Sequence, residues 1–365
     1  MIGQTCNTAR GTALLLGAIA LGIAQKLPAP TRVWSVTPLA KGEPTVGITV
    51  GPGGATLQRQ RVDPQTGSVF AATRSVAFAG DRVVLGTMTG MRRLDGAQVP
   101  ESVYQLLSLD VRTGELKDTR EVSGLTIFGT NDAHVIVSGQ NVLRLTPDLK
   151  DAGIFDYHAT GNRFGRVQNI SPDGSTLGNA TSPGFELIDA RTLTASKLTD
   201  LPLTDTSVSS KAAVSDSPWW IKDYPKAKSF VTLTDGHGQH LIFHGDCGGR
   251  PQFLRDDRVL TAACKVARIL DTQGNIIKTI TLRDPISFAG VSQNGKRFAL
   301  QVARFSVGHL ISHETFIVYS VDTGEPIAEV APDSVADEQS WTSFSPDGSM
   351  IAVGSPQRLT LFRLP

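Results

Sequence analysis

The sequence lacks an excess of charge of either sign. Its 35 Lys and Arg residues oppose 34 Asp and Glu residues, and the formal net charge at pH 7 is +1. Nucleic-acid-binding domains carry a basic patch or stripe, and peripheral membrane proteins often carry a polybasic cluster. Neither occurs here, so we expect no nucleic-acid partner and no electrostatic attachment to a membrane surface.

The sequence also lacks long helical patterns. After residue 25 no extended window rich in Leu, Ala, Glu and Lys repeats apolar residues with a helical period. Hydrophobic residues make up 40% of the 365 positions and charged residues 19%, which is typical of a folded globular chain. The 36 glycines and 20 prolines predict many turns. Short strands joined by turns are therefore expected.

Apart from one N-terminal segment, long hydrophobic runs are missing. Arg10 precedes the uncharged run 11–24, which ends in Gly22-Ile23-Ala24 and is shorter than the roughly 20 residues needed to span a bilayer. This pattern predicts a signal peptide over residues 1–24, with an uncleaved anchor as the alternative. We expect a periplasmic or secreted protein with no stable membrane span after cleavage. Residues 25–45 form a proline-rich segment, and 46–365 form one domain.

Cysteine is scarce, with three residues in the chain. Cys6 lies in the predicted signal peptide, so Cys247 and Cys264 remain in the mature protein. An even number of cysteines in an oxidising compartment predicts one disulfide. Two reduced thiols are the alternative, since a disulfide requires Cα atoms within about 7 Å of each other.

Two turn patterns alternate along the chain. The first joins two apolar strands through a Ser-Pro-Asp-Gly type of hairpin, at 171–174, 292–295 and 345–348, with weaker variants at 79–81, 131–132 and 256–257. The second follows an apolar strand with a turn rich in Asp, Thr and Gly, at 109–115, 188–192, 270–275 and 321–325. Aspartate accepts hydrogen bonds from the backbone that follows it, and glycine tolerates positive φ. Groups of strands then begin near residues 75, 125, 166, 211, 252, 287 and 341.

The spacing of these groups, about 35–55 residues, is that of four-stranded propeller blades. The segments "FSPDGSMIAV" and "SVDTGEPIAEV" resemble repeats of the WD40-like, TolB-type and YVTN-type bacterial β-propellers, over roughly residues 70–365. The chain has no Gly-His and Trp-Asp signature of true WD40 repeats and no separate TolB-like α/β domain. We predict an all-β, seven-bladed β-propeller of four-stranded antiparallel blades. A strand within 32–37 or 47–57 closes the ring by pairing with the last blade.

Three insertions and one pair of tryptophans are candidates for binding. The insertions span residues 86–100, 215–228 and 303–314, and loops carry much of the function of propellers. Trp219 and Trp220 lie in the second insertion, where adjacent indoles suit stacking on a sugar or an aromatic ligand. The favoured interpretation is that one Trp packs between blades and the other is partly exposed.

Histidines form two weak candidate metal sets. The first contains His237, His240 and His244, and the second contains His309, His313 and Glu314. Imidazole is a good ligand for zinc or copper, but the spacing in both sets favours ordinary hairpins. We therefore predict no metal and no cofactor. The sequence contains neither a Gly-x-Ser-x-Gly nucleophile motif nor a phosphate-binding loop, and no spacing singles out catalytic residues.

These patterns favour a non-enzymatic, monomeric binding or scaffold module for a protein or glycan partner in the cell envelope. The alternative is a channel-sited enzyme, such as a lyase, a hydrolase or a quinone-linked dehydrogenase subunit. An enzyme requires several ionisable side chains that meet in one channel pocket. A scaffold instead presents an apolar or aromatic patch on one face.

Overall fold

The computed structural model describes most of the chain between Leu27 and Pro365. The described residues are 27–36, 45–51, 54–62, 69–71, 74–92, 101–124, 126–139, 141–157, 166–181, 184–201, 203, 206–216, 228–246, 250–305, 311–332, 340–354 and 358–365. The predicted signal peptide, Trp219, Trp220, Cys247 and His309 lie outside these residues.

The described strands form seven antiparallel four-stranded sheets arranged as blades. In the first four blades the strand order in the sheet follows the order in the chain. Blade 1 contains β5 (Arg74–Ala79), β6 (Arg82–Arg92), β7 (Glu101–Asp110) and β8 (Leu116–Ser123). Blade 2 contains β9 (Thr126–Gly129), β10 (Val135–Ser138), β11 (Asn141–Leu145) and β12 (Asp151–Asp156). Blade 3 contains β13 (Arg166–Ile170), β14 (Thr176–Ala180), β15 (Phe185–Asp189) and β16 (Ala195–Thr199). Blade 4 contains β17 (Thr206–Val208), β18 (Ala213–Asp216), β19 (Lys228–Asp235) and β20 (Gly238–Asp246).

The last three blades complete the ring, and the final blade takes its outer strand from the N-terminal part. Blade 5 contains β21 (Gln252–Arg255), β22 (Arg258–Ala263), β23 (Val266–Asp271) and β24 (Ile276–Thr281). Blade 6 contains β25 (Ile286–Val291), β26 (Arg297–Phe305), β27 (Ile311–Ser320) and β28 (Pro326–Val330). Blade 7 contains β29 (Trp341–Phe344), β30 (Met350–Gly354), β31 (Leu359–Arg363) and the N-terminal β1 (Thr31–Val36). The predicted seven-bladed propeller with N-terminal closure is confirmed.

The strand that closes the ring overlaps the first of the two predicted ranges. β1 pairs with β31, with Thr31 opposite Arg363 and Val36 opposite Leu359. The second range instead contributes to a separate three-stranded sheet made of β2 (Thr45–Gly51), β3 (Gly54–Val62) and β4 (Val69–Ala71). Gly51 pairs with Gly54 in this sheet, which is the register of a tight hairpin.

The first turn pattern builds the hairpin between the first and second strands of a blade. In the last blade Gly348 has a φ of 72° and its N–H donates to the Ser345 carbonyl over 2.8 Å. The Ser345 hydroxyl donates to Asp347 Oδ1 over 2.7 Å. Gly174 and Gly295 occupy the same position, with φ of 72° and 65°. Glycine adopts this conformation without a Cβ clash, which is why the motif recurs.

The second turn pattern lies between the third and fourth strands, and one of its members differs from the prediction. Asp110, Asp189 and Asp271 each accept backbone hydrogen bonds from residues two to four positions later. In blade 6 the shared Thr-Gly-Glu segment aligns Ser320, not Asp322, with these aspartates. Ser320 Oγ accepts from the Thr323 N–H over 3.3 Å, while Asp322 pairs with Arg255 of blade 5 over 3.1 Å.

Hydrophobic side chains are buried between blades. The described core divides into seven clusters, each with residues from two neighbouring blades. The second strand of a blade is covered on both faces, so β10 is fully buried, whereas the outer β24 is mostly exposed. A blade therefore cannot bury its own apolar faces, and each blade depends on its neighbours.

Candidate functional site

The propeller has two unlike ends because the strands of each blade alternate in direction. We call the end with the first-to-second and third-to-fourth connections the turn end. There the connections are short: 80–81, 130–134, 171–175, 209–212, 256–257, 292–296 and 345–349 after first strands, and 111–115, 146–150, 190–194, 236–237, 272–275 and 321–325 after third strands. The opposite end is called the loop end.

Hydrogen bonds between blades join the turns of the turn end. The Asn131 N–H donates to the Gly174 carbonyl over 3.2 Å, which joins blades 2 and 3. The Asn294 N–H donates to the Pro346 carbonyl over 3.0 Å, which joins blades 6 and 7. The Ser210 hydroxyl donates to Asp256 Oδ2 over 2.9 Å between blades 4 and 5.

Gln293 crosses the turn end of the channel. Its Nε2 donates to the Gly129 carbonyl over 3.1 Å, so blade 6 contacts blade 2 across the ring. A Cβ on Gly174 of blade 3 would lie 2.9 Å from the same Nε2. Gln293 occupies the position that is proline in the repeats at 171–174 and 345–348. This departure from the repeat is the sequence feature that points to its contact across the channel.

The loop end carries all the long connections. The second-to-third connections 93–100 of blade 1, 217–227 of blade 4 and 306–310 of blade 6 begin and end there. The fourth-to-first connections 157–165 and 331–340 also begin and end there, and the sheet β2–β4 is inserted in the connection from β1 to blade 1. All three predicted insertions therefore belong to the same end. Parts of all three are strand, because β6 extends to Arg92, β18 to Asp216 and β26 to Phe305.

The predicted tryptophan pair and disulfide belong to connections of the loop end. Trp219 and Trp220 fall in the 217–227 connection, outside the described residues. Cys264 is exposed, has a φ of 55°, and lies in the second-to-third turn of blade 5. Cys247 falls in the connection from blade 4 to blade 5, also outside the described residues. The two cysteines are thus assigned to neighbouring connections at one end, and the disulfide stays a prediction.

A cavity of 390 Å³ occupies the channel between the innermost strands of all seven blades. Hydroxyl and amide groups line it, among them Ser75, Thr126, Asn169, Ser207, Gln252, Gln293, Gln301 and Ser340. Aromatic rings line it as well, namely Phe78, Phe128, Phe253, Phe288, Phe316, Trp341 and Phe344. Every described residue that lines the cavity has an uncharged side chain, so its groups suit hydrogen bonding and stacking rather than proton transfer.

One buried carboxylate lies beside this cavity. Glu314 on β27 is 5% exposed, and its Oε1 accepts a hydrogen bond from Gln301 Nε2. Gln301 Oε1 accepts from the Ser287 hydroxyl over 2.9 Å, so both ends of the Gln301 amide are engaged. In the sequence, Glu314 stands out only as part of a weak candidate metal set with His309 and His313. The sequence feature that points to Glu314 is the presence of a charged residue within a buried strand.

The described histidines of the first candidate set lie on an exposed hairpin. His237 lies in the turn between β19 and β20, and His240 Nε2 lies 3.7 Å from Asp235 Oδ1. The His244 ring lies 6.4 Å from the Phe230 ring. No group of three metal-ligating side chains occurs within the described part of the chain.

The ring of seven blades defines the chain as a β-propeller with WD40-like repeats. Solved structures of similar fold include the WD40 domain of Toxoplasma gondii coronin, with 9% identity, a TM-score of 0.52, and coverage of 93% of this chain and 88% of that one. The C-terminal WD40 domain of Sif2 shows 12% identity, a TM-score of 0.47, and coverage of 93% and 99%. BamB from Moraxella catarrhalis shows 14% identity, a TM-score of 0.38, and coverage of 75% and 95%.

The likeness to the coronin domain concerns the fold alone. No family model matches the sequence, and no curated protein matches it either. Within the described residues, no helix combines the length and the apolar character needed to cross a membrane.

Proposed function

We propose that this propeller is an exported binding module whose loop end holds a protein partner in the cell envelope. The observation that carries the proposal is the asymmetry of the ring. Connections of the turn end are short and bonded to one another, whereas the long connections of blades 1, 4 and 6 share the loop end. Binding residues lie preferentially on loops that a rigid scaffold positions.

The spread of these connections favours a protein partner over a glycan. Blades 1, 4 and 6 are distributed around the ring, so the face they form extends across the propeller. A stable protein interface buries about 800 Å² on each partner, and a protein spans such a spread of loops more readily than a single sugar does. Trp219 and Trp220 belong to this face by chain topology, and aromatic residues are enriched at the energetic centres of interfaces. In this proposal they contact the partner.

The alternative of a channel-sited enzyme needs ionisable groups that converge on the channel. The described lining of the cavity consists of uncharged groups, and Glu314 is the one buried carboxylate described beside it. The several converging ionisable groups that this alternative needs are thus not found among the described residues.

Site-specific photo-crosslinking in cells of the native host tests the proposal. Lys265 at the loop end and Lys296 at the turn end are both exposed lysines in short turns, and each is replaced in turn by a photo-crosslinking phenylalanine analogue. We expect the Lys265 variant to capture one defined protein and the Lys296 variant to capture none. Replacing 217–227 by a Gly-Ser segment of equal length should abolish the crosslink.

Two results would overturn the proposal. Equal capture at both positions, or no capture at either, would remove the loop end as the recognition face. Binding of purified protein to an immobilised glycan, without a protein crosslink, would assign the face to a glycan.

Export and the disulfide belong to the same proposal and are checked by the mass of the protein recovered from the envelope. We expect loss of residues 1–24 and a mass two hydrogen atoms below that of the reduced form. A mass that retains the first 24 residues would instead show the uncleaved anchor.

A further inference from the structure

The carboxylate of Glu314 is buried, and no cation among the described side chains compensates it. Oε1 accepts from the Gln301 amide, but Oε2 is buried and has no hydrogen-bond partner. Among the described residues, no Lys, Arg or His forms an ion pair with Glu314. A buried, unpaired charge is strongly destabilising, and buried charged groups in folded proteins are normally paired. A buried polar atom without a partner in a native structure calls for an explanation, and a bound ion is one such explanation.

Gln301 connects this carboxylate to the channel cavity. The Gln301 side chain lines the cavity and lies between it and Glu314. Because the Ser287 hydroxyl donates to Gln301 Oε1, the amide is held with Nε2 towards the carboxylate. A positive charge in this part of the cavity is thus separated from the Glu314 carboxylate by one amide group. Opposite charges attract each other at such close range.

Other unpaired polar atoms of the cavity are also able to accept hydrogen bonds. Ser340 is 5% exposed, and its Oγ has no hydrogen-bond partner. Gln293 Oε1, at the turn end of the cavity, has none either. The Thr342 hydroxyl donates to the Ala289 carbonyl over 2.8 Å. This bond joins the first strands of blades 6 and 7. Ser340 lies two residues before Thr342, and Ser287, which bonds Gln301, lies two residues before Ala289. Ser340 and Gln301 therefore lie in the same half of the channel.

Aromatic rings complete this half of the channel. Phe288, Phe316 and Trp341 line the cavity. The faces of such rings attract cations, and Trp does so most strongly. The cavity volume of 390 Å³ lies within the range of about 300–1,000 Å³ that is typical of small-molecule sites. Acceptor atoms without a hydrogen-bond partner, aromatic faces and a buried carboxylate beside them together describe a site for a cation rich in hydrogen-bond donors.

We propose that the loop-end half of the channel binds an ammonium or guanidinium group beside Gln301, Ser340 and Trp341, with Glu314 supplying the compensating charge. The group belongs either to a free small molecule or to a Lys or Arg side chain of a bound protein. The site does not depend on the proposed function, because a free cation would occupy it without any partner.

Binding of methylguanidinium to the purified full chain tests this site, with methylurea as the neutral molecule of the same shape. Isothermal titration calorimetry should show saturable binding of methylguanidinium to the wild type and at least tenfold weaker binding of methylurea. Glu314→Gln keeps the acceptor for Gln301 and removes the charge, so methylguanidinium should bind this variant at least tenfold more weakly. Glu121→Gln, on the exposed outer strand of blade 1, is the matched control and should bind like the wild type.

The melting temperature separates loss of the site from loss of the fold. Without ligand, Glu314→Gln should melt at or above the wild-type temperature, because a buried unpaired charge has been removed. Equal affinity of wild type and Glu314→Gln for methylguanidinium, or equal affinity of the wild type for both probes, would overturn the proposal. So would the absence of binding to the wild type.

Two peptides distinguish the sources of the cation. Acetyl-Gly-Arg-Gly-amide is compared with the same peptide containing citrulline, which is neutral. Tighter binding of the arginine peptide than of methylguanidinium, with at least a tenfold loss for citrulline, indicates a side chain of a protein partner. Weaker binding of the arginine peptide than of methylguanidinium indicates a free small cation.

Discussion

Single aspartates organise the turns between third and fourth strands. Hydrogen bonds from the Arg112 and Thr113 N–H groups hold the pKa of Asp110 below its usual value. The Thr192 N–H does the same for the pKa of Asp189, and the Asn275 side chain lowers the pKa of Asp271. At Asp148 the Lys150 ammonium, followed by the Thr146 hydroxyl, lowers the pKa to about 2. All these bonds favour the ionised carboxylate.

Stability should therefore fall in acid. The folded-state pKa of each of these groups lies below the unfolded value near 3.8. The unfolded chain then binds more protons as the pH falls, so this stabilisation is complete above about pH 4–5 and is lost as the pH drops through the folded-state values, towards about 2 for Asp148. Calorimetric melting between pH 7 and pH 2 should show a progressive fall in the melting temperature across this window.

Asp110→Asn isolates one of these groups. The variant should be less stable than the wild type at pH 7, because the charge that attracts the turn N–H groups is gone, and the difference should narrow at pH 2. Asp118→Asn on the neighbouring strand β8 is the control and should melt near the wild type at pH 7. A constant difference between Asp110→Asn and the wild type at every pH would contradict the assignment.

At the scale of elements, the hairpin is the repeated unit and its turn decides what it contacts. The turns at 171–174 and 345–348 have Pro and Asp in their central positions, whereas 292–295 has Gln293 and Asn294. Asn294 donates through its N–H to the Pro346 carbonyl, and Gln293 reaches the Gly129 carbonyl across the channel. This hairpin of blade 6 is thus bonded both to the neighbouring blade 7 and, across the channel, to blade 2.

Gln293→Ala should lower the free energy of unfolding by about 1 kcal/mol, the typical contribution of one hydrogen bond. Gln293→Glu should cost more, because a carboxylate would face the Gly129 carbonyl. Urea unfolding measures both changes. Gln273→Ala, in an exposed turn of blade 5, is the matched control and should stay within about 0.5 kcal/mol of the wild type. If Gln293→Ala and Gln273→Ala were equally stable, the cross-channel bond would contribute nothing.

For the whole molecule, the decisive contact is the closure of the ring by β1. Trp34 on β1 is buried in the cluster between blades 7 and 1, and its Nε1 donates to the Val111 carbonyl of blade 1 over 2.9 Å. A Cβ on Gly114 would lie 2.8 Å from the Trp34 ring, so this blade 1 turn packs tightly on the indole. β1 therefore pairs with blade 7 and packs its tryptophan on blade 1.

A chain that starts at residue 37 should expose the edge of β31 and associate with other copies, because unpaired strand edges recruit further strands. Size-exclusion chromatography with light scattering should show species larger than a monomer. A peptide of residues 27–36 added in trans should restore the monomer. The same peptide with Trp34→Ala should fail, since truncating a buried Trp costs about 3–5 kcal/mol. A truncated chain that remains monomeric and as stable as the full chain would contradict this role for β1.

The local chemistry of turns determined most of the blade architecture. Pro, Asp, Asn and Gly set backbone angles within four residues, so the starts of the groups near 75, 125, 166, 252, 287 and 341 agree with the first strands of the blades. The start near 211 misses β17 (Thr206–Val208), because this short strand precedes a turn with no Pro, Gly, Asn or Asp. Periodicity over the chain then predicted seven blades and a ring.

Only the tertiary structure decided which segments meet. β1 rather than 47–57 completes blade 7, although both ranges have strand patterns, because pairing with β31 depends on where the ring closes. Gln293 and Gly129 lie 164 positions apart, and their contact exists only because blades 6 and 2 face each other across the channel. Glu314 likewise lies behind Gln301, beside a cavity lined by all seven blades, only because the blades pack into a ring. Turn chemistry acts over a few residues and is written in the sequence, whereas contacts across a ring depend on the packing of every blade between them.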